Sequence, residues 1–406
     1  MIRESSPGKP VRGRRVLIIV ENLPVPFDRR VWLEAQALRD ANFHVTVICP
    51  KMKGFTKSFE ILDGIRIHRH PLPFEADSGA LAFLLEYGIA WLWELWLTSY
   101  IFLRSGFDII HACNPPDNIF LIALLFKPFG VKFVFDQHDI NPELYIAKYN
   151  RKDWLYRILS WLEKGTYRAA DLVISTNESY RAIALDRGKK KPEDVQIVRS
   201  APDISKFRPV PPDAEIKRGR TFLVAYLGVM GKQEGVDLLL QAANYIVRTK
   251  GRNDITFTLV GSGPERPALE QMAANLQLEN AVFFTGRIPD EELLKHLSTA
   301  DLCVNPDRVN EMNDKSTMNK IMEYMAVGKA IVQFETTEGR FSAQDASLYA
   351  KPNDFQDFAE RILELLDDAP RREAMGAAGK KRMQESLDWR FSQAALIQAY
   401  EKLAAQ

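Results

Sequence analysis

Short, unbroken apolar runs alternate with helix-length amphipathic stretches along nearly the whole chain. That alternation limits the fold more than any other feature. RVLIIVE (15–21) is a continuous apolar run closed by a polar turn, the pattern of a strand buried on both faces of a parallel sheet. DRRVWLEAQALRDA (28–41) follows, with Val31, Leu33, Ala35 and Leu38 at helical spacing. VTVICP (45–50), stopped by Pro50, reads as a second strand, and the alternating IRIHRHP (65–71) as a third. FDIIHACNPP (107–116) is strand then loop, and FLIALLFKPFG (120–130) is a helix ending at glycine. VKFVFDQHD (131–139) is a buried strand, 151–170 a helix, and LVISTNES (172–179) and VQIVRSAPD (195–203) are the last strands of this half. Such order predicts a mainly parallel sheet with helices on both faces.

KFRPVPPDAEIKRGR (206–220) is rich in proline and charge and has no apolar period, so it reads as a linker. A second alternation then begins. FLVAYLG (222–228), ITFTLVGSGP (255–264), VFFTGRIP (282–289), DLCVNP (301–306) and AIVQFE (330–335) are strands. Helices are expected over 236–249, 265–277, 290–299, 317–327, 354–367 and 370–404. The expected organisation is an N-terminal Rossmann-like domain over 1–208, a second over 209–385, and a final helix over 386–406 that returns to the first. At 406 residues and 46% apolar, each half can bury its own core. Two open sheets in one chain imply a cleft between domains, with ligands at the carboxyl ends of strands.

Net charge is +1, which gives no pull toward nucleic acid. The halves differ: residues 1–210 carry a net +6 and the remainder a net −5, which points the first half at an anionic surface. Three cysteines, Cys49, Cys113 and Cys303, have no metal or CxxC spacing and imply a reducing, cytoplasmic compartment. The polar, basic start Met1 to Val16 is no secretory signal and is expected to be an exposed arm. Residues 79–103 are apolar and aromatic but contain Glu86 and Glu94. A carboxylate near the centre of a spanning helix costs roughly 2.5–3.5 kcal/mol. The two lie eight residues apart, so the segment reads as a helix with a wet edge. Trp91, Trp93 and Trp96 then either pack on the sheet or rest in a lipid headgroup region, which would make the chain a peripheral membrane protein.

The second half resembles the family-4 glycosyltransferases of the GT-B architecture. LVGSGPERPALEQMA (259–273), VFFTGRIPDEELLKHLSTADLCVNP (282–306) and MNKIMEYMAVGKAIV (318–332) carry that resemblance. In the first half, VRSAPDISKFRP (198–209) resembles the block before the family's linker, and 20–50 resembles bacterial members that build surface polysaccharides. GSGP lacks the third glycine of a dinucleotide fingerprint, which argues against a nicotinamide cofactor. The resemblance implies two doubly wound parallel-sheet domains facing across a cleft, with a UDP- or GDP-sugar on the second. It implies retaining transfer of a hexose or N-acetylhexosamine, without a metal, to a glycan acceptor that could be undecaprenyl-linked.

Site residues follow from the same resemblance. Gly228, Gly261 and Gly263 are expected in the donor loops. STMN (316–319) precedes a helix beginning near Met318, so Ser316 or Thr317 can cap it, and Thr317, Met318 and Asn319 place N–H groups at an anion site. Lys320 can add a charge to the phosphate, and Glu323 is assigned to the ribose hydroxyls. Three departures stand out. Lys315 holds the place of a glutamate beside the donor sugar, and Val229 and Glu234 hold those of an arginine and a lysine. The diphosphate then needs other cations, for which Lys232, Lys315, Lys320 and Arg287 are candidates. His138, in FDQHDINPE (135–143), stands at the place of the family's active-site histidine. Asp139 and Glu143 can orient the acceptor hydroxyl or take its proton. Asn114, Asp117, Asp28, Arg29 and Arg30 are expected near the acceptor. His138, Lys315 and Asp139 are thus the catalytic candidates. Two alternatives stay open: a nucleotide-sugar epimerase of the same architecture, separated by whether free donor is isomerised, and an inactive partner subunit, separated by absence of donor binding.

Overall fold

A computed structural model describes residues 14–72, 80–205 and 207–405, with the side chains of 80–86 outside that description. The basic arm before Arg14, the side chain of Glu86 and Lys206 of the linker therefore lie outside the described residues. The chain divides into two compact units. The first runs to Ile146, resumes over Arg151–Val198 and takes in the chain from Gln393; the second comprises Ala147–Asn150 and Arg199–Ser392.

The first unit contains β1 (Arg15–Val20), α1 (Arg29–Asp40), β2 (His44–Lys51), β3 (Phe59–Leu62), β4 (Ile65–Pro71), α2 (Ala80–Arg104), β5 (Ile109–Cys113), α3 (Phe120–Phe126), β6 (Lys132–Gln137), α4 (Asn141–Tyr149), α5 (Trp154–Ala169), β7 (Leu172–Ser175), α6 (Glu178–Asp186) and β8 (Val195–Ile197). Its sheet has the order β3-β4-β2-β1-β5-β6-β7-β8. Only β3 is antiparallel, pairing with β4 at the edge. β3, α4 and α6 have no counterpart among the expected elements. Leu17, Ile19, Phe133 and Phe135 point to one face, where α2, α3, α5 and α6 cover them. α1 and the last helix serve the other face, where Phe43 meets Tyr400 edge-on.

The second unit contains β9 (Phe222–Leu227), α7 (Val236–Asn244), β10 (Ile255–Val260), α8 (Arg266–Asn275), β11 (Val282–Gly286), α9 (Asp290–Thr299), β12 (Leu302–Asn305), α10 (Glu311–Lys315), α11 (Asn319–Ala326), β13 (Ile331–Phe334), α12 (Thr337–Ala343), β14 (Ser347–Ala350), α13 (Phe355–Leu366) and α14 (Ala369–Arg382). α15 (Trp389–Ala404) leads back to the first unit. The helical stretch expected over 370–404 comprises two helices, joined by a wider turn over Met383–Leu387. The six-stranded sheet is parallel throughout, in the order β11-β10-β9-β12-β13-β14. Along β9, Val224 and Tyr226 enter one core, and Leu223 and Ala225 the other. Burying each such aliphatic side chain contributes about 1.5–3 kcal/mol. The Tyr324 hydroxyl accepts from Leu227 N–H (2.8 Å) and donates to the Val304 carbonyl (3.2 Å), stitching β9 to β12 where their loops part.

The aromatic helix is α2, and its polarity is the reverse of the expected wet edge. Glu94 and Thr98 are buried, while Trp93 and Trp96 are exposed. Only Trp91 of the three tryptophans packs against the core. Neither carboxylate oxygen of Glu94 has a hydrogen-bond partner among the described residues, and burial pushes its pKa up to about 8. The unfolded chain gives up this proton above about pH 4.5, while the folded chain holds it until about pH 8. Stability must therefore fall as pH rises through that window. Among the described residues, no helix is long and apolar enough to cross a membrane. Glu94→Leu is expected to flatten the loss, which amounts to about 3 kcal/mol by pH 7 for the parent chain. Urea unfolding at a series of pH values measures it, and parallel curves for the two proteins would acquit Glu94.

Candidate functional site

In each sheet the winding reverses once, between β1 and β5 and between β9 and β12. At such a point neighbouring strands send their loops to opposite faces, and a crevice opens at their carboxyl ends. In the second unit β9 ends at Leu227 and Gly228 turns the chain with φ +156°, while β10 ends at Val260 and Gly261 has φ +133°. A Cβ on Gly261 would lie 1.9 Å from the Gly228 carbonyl oxygen, and one on Gly263 2.5 Å from that of Met230. Met230 N–H donates to Ser262 (3.2 Å) and Glu265 N–H to Met230 (2.9 Å). The two loops touch backbone to backbone, and this contact requires the glycines.

Lys320, in the first turn of α11, reaches into the same place. Its ammonium lies 2.7 Å from Asp307 and 5.0 Å from the centre of the Tyr226 ring. Its Cε comes close to Gly228. Both partners are almost wholly buried. Burial by itself would lower the Lys320 pKa, but Asp307 and Tyr226 outweigh it and hold the ammonium charged. Burial raises the pKa of Asp307 more than Lys320 lowers it. Glu234, in the place of an expected cation, is also raised by burial, with Lys320 pulling against that; it accepts from Gly231 N–H at 3.2 Å. The lysine thus already has one carboxylate in contact and a second nearby.

Helix α11 starts one residue later than expected. Met318 is its N-cap and makes no side-chain capping bond. Ser316 instead donates to the Met312 carbonyl (2.8 Å), and Thr317 accepts from Arg199 (3.0 Å). The N-cap position itself is thus neither Ser316 nor Thr317. Asn319 is exposed and Glu323 half-buried one turn on, so the two share the helix's accessible side. Lys315 closes α10 and pairs with Glu311 at 3.0 Å. Lys232 and Arg287 are exposed. Arg199 was missed by sequence reasoning. It is buried, ion-paired with Glu338 (3.4 Å), stacked over Phe341 (4.5 Å) and bonded to Thr317. Nothing in its local sequence marks it, because its partners lie over a hundred residues away.

In the first unit, His138 follows β6. Its Nε2 is 2.5 Å from Asp136 and 3.0 Å from the Nε of Arg30. Arg30 also pairs with Glu34 (3.0 Å) and Asp136 (2.8 Å), and its Nη1 donates to the Val198 carbonyl. Below lies His111, 3.3 Å from Asp136, with its Nδ1 2.5 Å from the Tyr400 hydroxyl. Burial would raise the Asp136 pKa, yet Arg30, His138 and His111 pull it well below the usual range. Burial pushes the Glu34 pKa well above the usual carboxylate range, with Arg30 pulling against it. Nε2 of His138 is thus engaged by both Asp136 and the donating Nε–H of Arg30, which leaves Nδ1 as the ring nitrogen outside this network. Glu34, Asp136 and His138, and likewise His111, Cys113 and Asp136, bring ligand-type atoms within 4.8 Å of one another. Arg30 already sits between the two carboxylates, so a metal ion there would have to displace a guanidinium.

The geometry reassigns several residues expected near the acceptor. Asn114 uses its whole amide on the protein: its oxygen accepts from His138 N–H (2.6 Å) and Asp139 N–H (3.1 Å), and its nitrogen donates to Asp117 (2.9 Å) and the Asp139 carbonyl (2.8 Å). Asn114 is a clamp on the 138–139 turn. Asp117 also accepts from Asn141 (2.6 Å), and burial lifts its pKa to about 6. Glu143 is buried and ion-paired with Arg187 at 2.6 Å. Asp28 caps α1 through Val31 N–H at 3.1 Å, and Arg30 is consumed by the network around Asp136. Arg29 remains exposed, and Asp139 half-buried.

Gly261→Ala is expected to destabilise by about 2 kcal/mol or more, since it combines a left-handed φ with a clash. Thermal melting of purified variant and parent measures the loss, and equal melting temperatures would contradict the backbone contact described.

Two family models match the chain: "Glycosyl transferase 4-like domain" over residues 28–200 and "Glycosyl transferases group 1" over 221–368. A curated relative, the sulfoquinovosyl transferase SQD2 of Arabidopsis thaliana, is 23% identical over 300 residues. That match covers 70% of this chain, which spans about half, 54%, of the relative's length. Sucrose-phosphate synthase from Thermosynechococcus elongatus shares the fold with a TM-score of 0.78 at 20% identity, covering 97% of this chain and 99% of that one. Anabaena HepE, solved in complex with UDP and glucose, has a TM-score of 0.70 at 16% identity, covering 96% and 99%. With two parallel-sheet α/β units, each matched by a model of one kind, the chain belongs to the GT-B glycosyltransferase superfamily, of the group 1, family-4-like type.

Proposed function

We propose that this chain is a retaining transferase that moves a hexose or N-acetylhexosamine from a UDP- or GDP-sugar to a lipid-linked glycan, at the cytoplasmic face of a bacterial membrane, during surface polysaccharide assembly. The observation that carries the reading is the amino end of α11. It stands beside the β9–β12 crevice, its N-cap Met318 makes no side-chain capping bond, and Asn319 and Glu323 share its accessible side. A helix end of this kind binds a diphosphate through its N–H groups and dipole. Glu323 then accepts from the ribose hydroxyls. Lys320 gives one N–H to Asp307 and keeps two for phosphate oxygens.

Because Val229 and Glu234 stand where family cations are expected, the helix end and Lys320 carry more of the work. Lys232, Lys315 and Arg287, on the surface, supply the rest. Rate acceleration is electrostatic: fixed N–H groups and cations stabilise the departing diphosphate. The acceptor oxygen attacks from the face the diphosphate leaves. His138 offers Nδ1 to a sugar hydroxyl, with Asp139 beside it. No metal takes part.

Calorimetric titration with UDP and with GDP tests the reading. One of the two should bind, and Glu323→Ala should weaken it about ten- to a hundredfold. Lys320→Ala should also weaken it, with melting followed in parallel because the change strands Asp307 in the interior. If neither nucleotide binds, the transferase reading fails and an inactive partner subunit takes its place. A separate assay addresses the metal: with donor and acceptor present, transfer should survive exhaustive chelation, and its loss would show that an ion is required.

A further inference from the structure

The helices α2, α3 and α5 lie side by side over one face of the first sheet. Their inner sides make that core, and their outer sides are apolar as well. Twelve of the eighteen large apolar side chains exposed among the described residues belong to these helices and the turn after α3. The second unit, of similar length, has four. A patch this concentrated on one soluble unit marks an interaction surface.

α5 shows its chemistry most clearly. Trp154, Ile158 and Trp161 recur at helical spacing and are 58%, 40% and 61% exposed. Arg157, Lys164 and Arg168 flank them, all exposed. The one acid of the helix, Glu163, is buried and held by Arg187 at 2.6 Å, so every exposed charge on α5 is positive. On α2 the inversion is the same: Glu94 is turned inward, while Trp96 and Leu103 are 56% and 86% exposed and Arg104 is exposed at the end. Between them α3 shows Leu121, Leu124 and Leu125, followed by Phe129. Tryptophan with leucine, ringed by arginine and lysine and, among the described residues of these helices, without an exposed acid, fits the headgroup boundary of an anionic bilayer. A second protein would meet the same apolar face, but it would not explain why all the exposed charge on α5 has one sign.

We propose that α2, α3 and α5 together form a docking face for a membrane rich in anionic lipid, with α5 supplying the tryptophan anchors and the cationic rim. This rests on the reading that the chain works at a membrane, and it names the surface. The full-length protein should co-sediment with phosphatidylcholine vesicles containing phosphatidylglycerol, and much less with phosphatidylcholine alone. Trp154→Ala with Trp161→Ala, and separately Arg157→Glu with Lys164→Glu, should each lower vesicle binding about tenfold or more. Melting temperature and UDP or GDP binding should not change, since these side chains lie on the surface. Three results would overturn the proposal: no vesicle binding by the parent, equal binding by the α5 variants, or a self-associated parent that both tryptophan changes convert to monomer. Nucleotide titration of the same samples keeps the tests apart, because the docking face can fail while donor binding stands, and the reverse.

Discussion

A parallel strand cannot turn straight back, so each connection must cross over a face of the sheet, and that constraint places the candidate site. In both units the crossings go one way and then the other, starting from β1 and from β9. The strands on either side of the change direct their loops apart, and the sheet's edge of carbonyl ends is left open there. In the second unit the contact of Gly228 with Gly261 fixes the loops on the β9 side of the gap, and the Tyr324 hydroxyl ties the two diverging strands, β9 and β12, together. Asp307, Lys320 and the amino end of α11 all sit at this opening because β12 and β9 end there.

Ionised groups at both openings are held by partners from other elements. Asp136 is ionised against burial only because Arg30, His138 and His111 surround it. Arg30 in turn is held charged against its own burial by Asp136 and Glu34. Lys320 keeps its proton against burial because Asp307 is 2.7 Å away. Removing one member of such a pair costs about 3–5 kcal/mol, because the other charge is then left buried. These networks fix side-chain directions: His138 is held through Nε2, and its second ring nitrogen is the one available to a ligand. The same reasoning explains why expected contacts such as Asn114 and Glu143 are already occupied. Asn114 holds the turn that carries the histidine, and Glu143 ties α4, which follows that turn, to Arg187.

Much of this was legible in the sequence. Continuous apolar runs such as RVLIIV mark parallel strands because both faces of the sheet are covered, and nearly all of the sheet strands were readable that way. β3 and β14 were not, since FEIL and SLYA are four residues long and half-exposed. GSGP signalled a tight turn, but the reason for its glycines, the Gly228 loop, lies over thirty residues earlier. The N-cap is Met318 rather than Ser316 or Thr317, whose hydroxyls bond a carbonyl one turn back and an arginine far away in sequence. Arg199 and the Asp136 network depend on long-range pairing, which leaves no periodic trace.

The aromatic helix shows how a local rule can give the wrong face. Two acids eight residues apart suggested the side of α2 that meets water, yet Glu94 faces inward and the tryptophans face outward. The inward carboxyl stays neutral at the cost of stability near neutral pH. Exposed tryptophans are expensive in water unless another phase receives them, and indole rings favour the boundary between headgroup and hydrocarbon. α5 repeats the arrangement with its acid also drawn inward, this time by Arg187. Two helices on one face of one sheet have each removed a negative charge from the outer surface and left apolar and basic groups there. The same choice made twice, by unrelated local sequences, is what a shared planar and anionic partner would require of them.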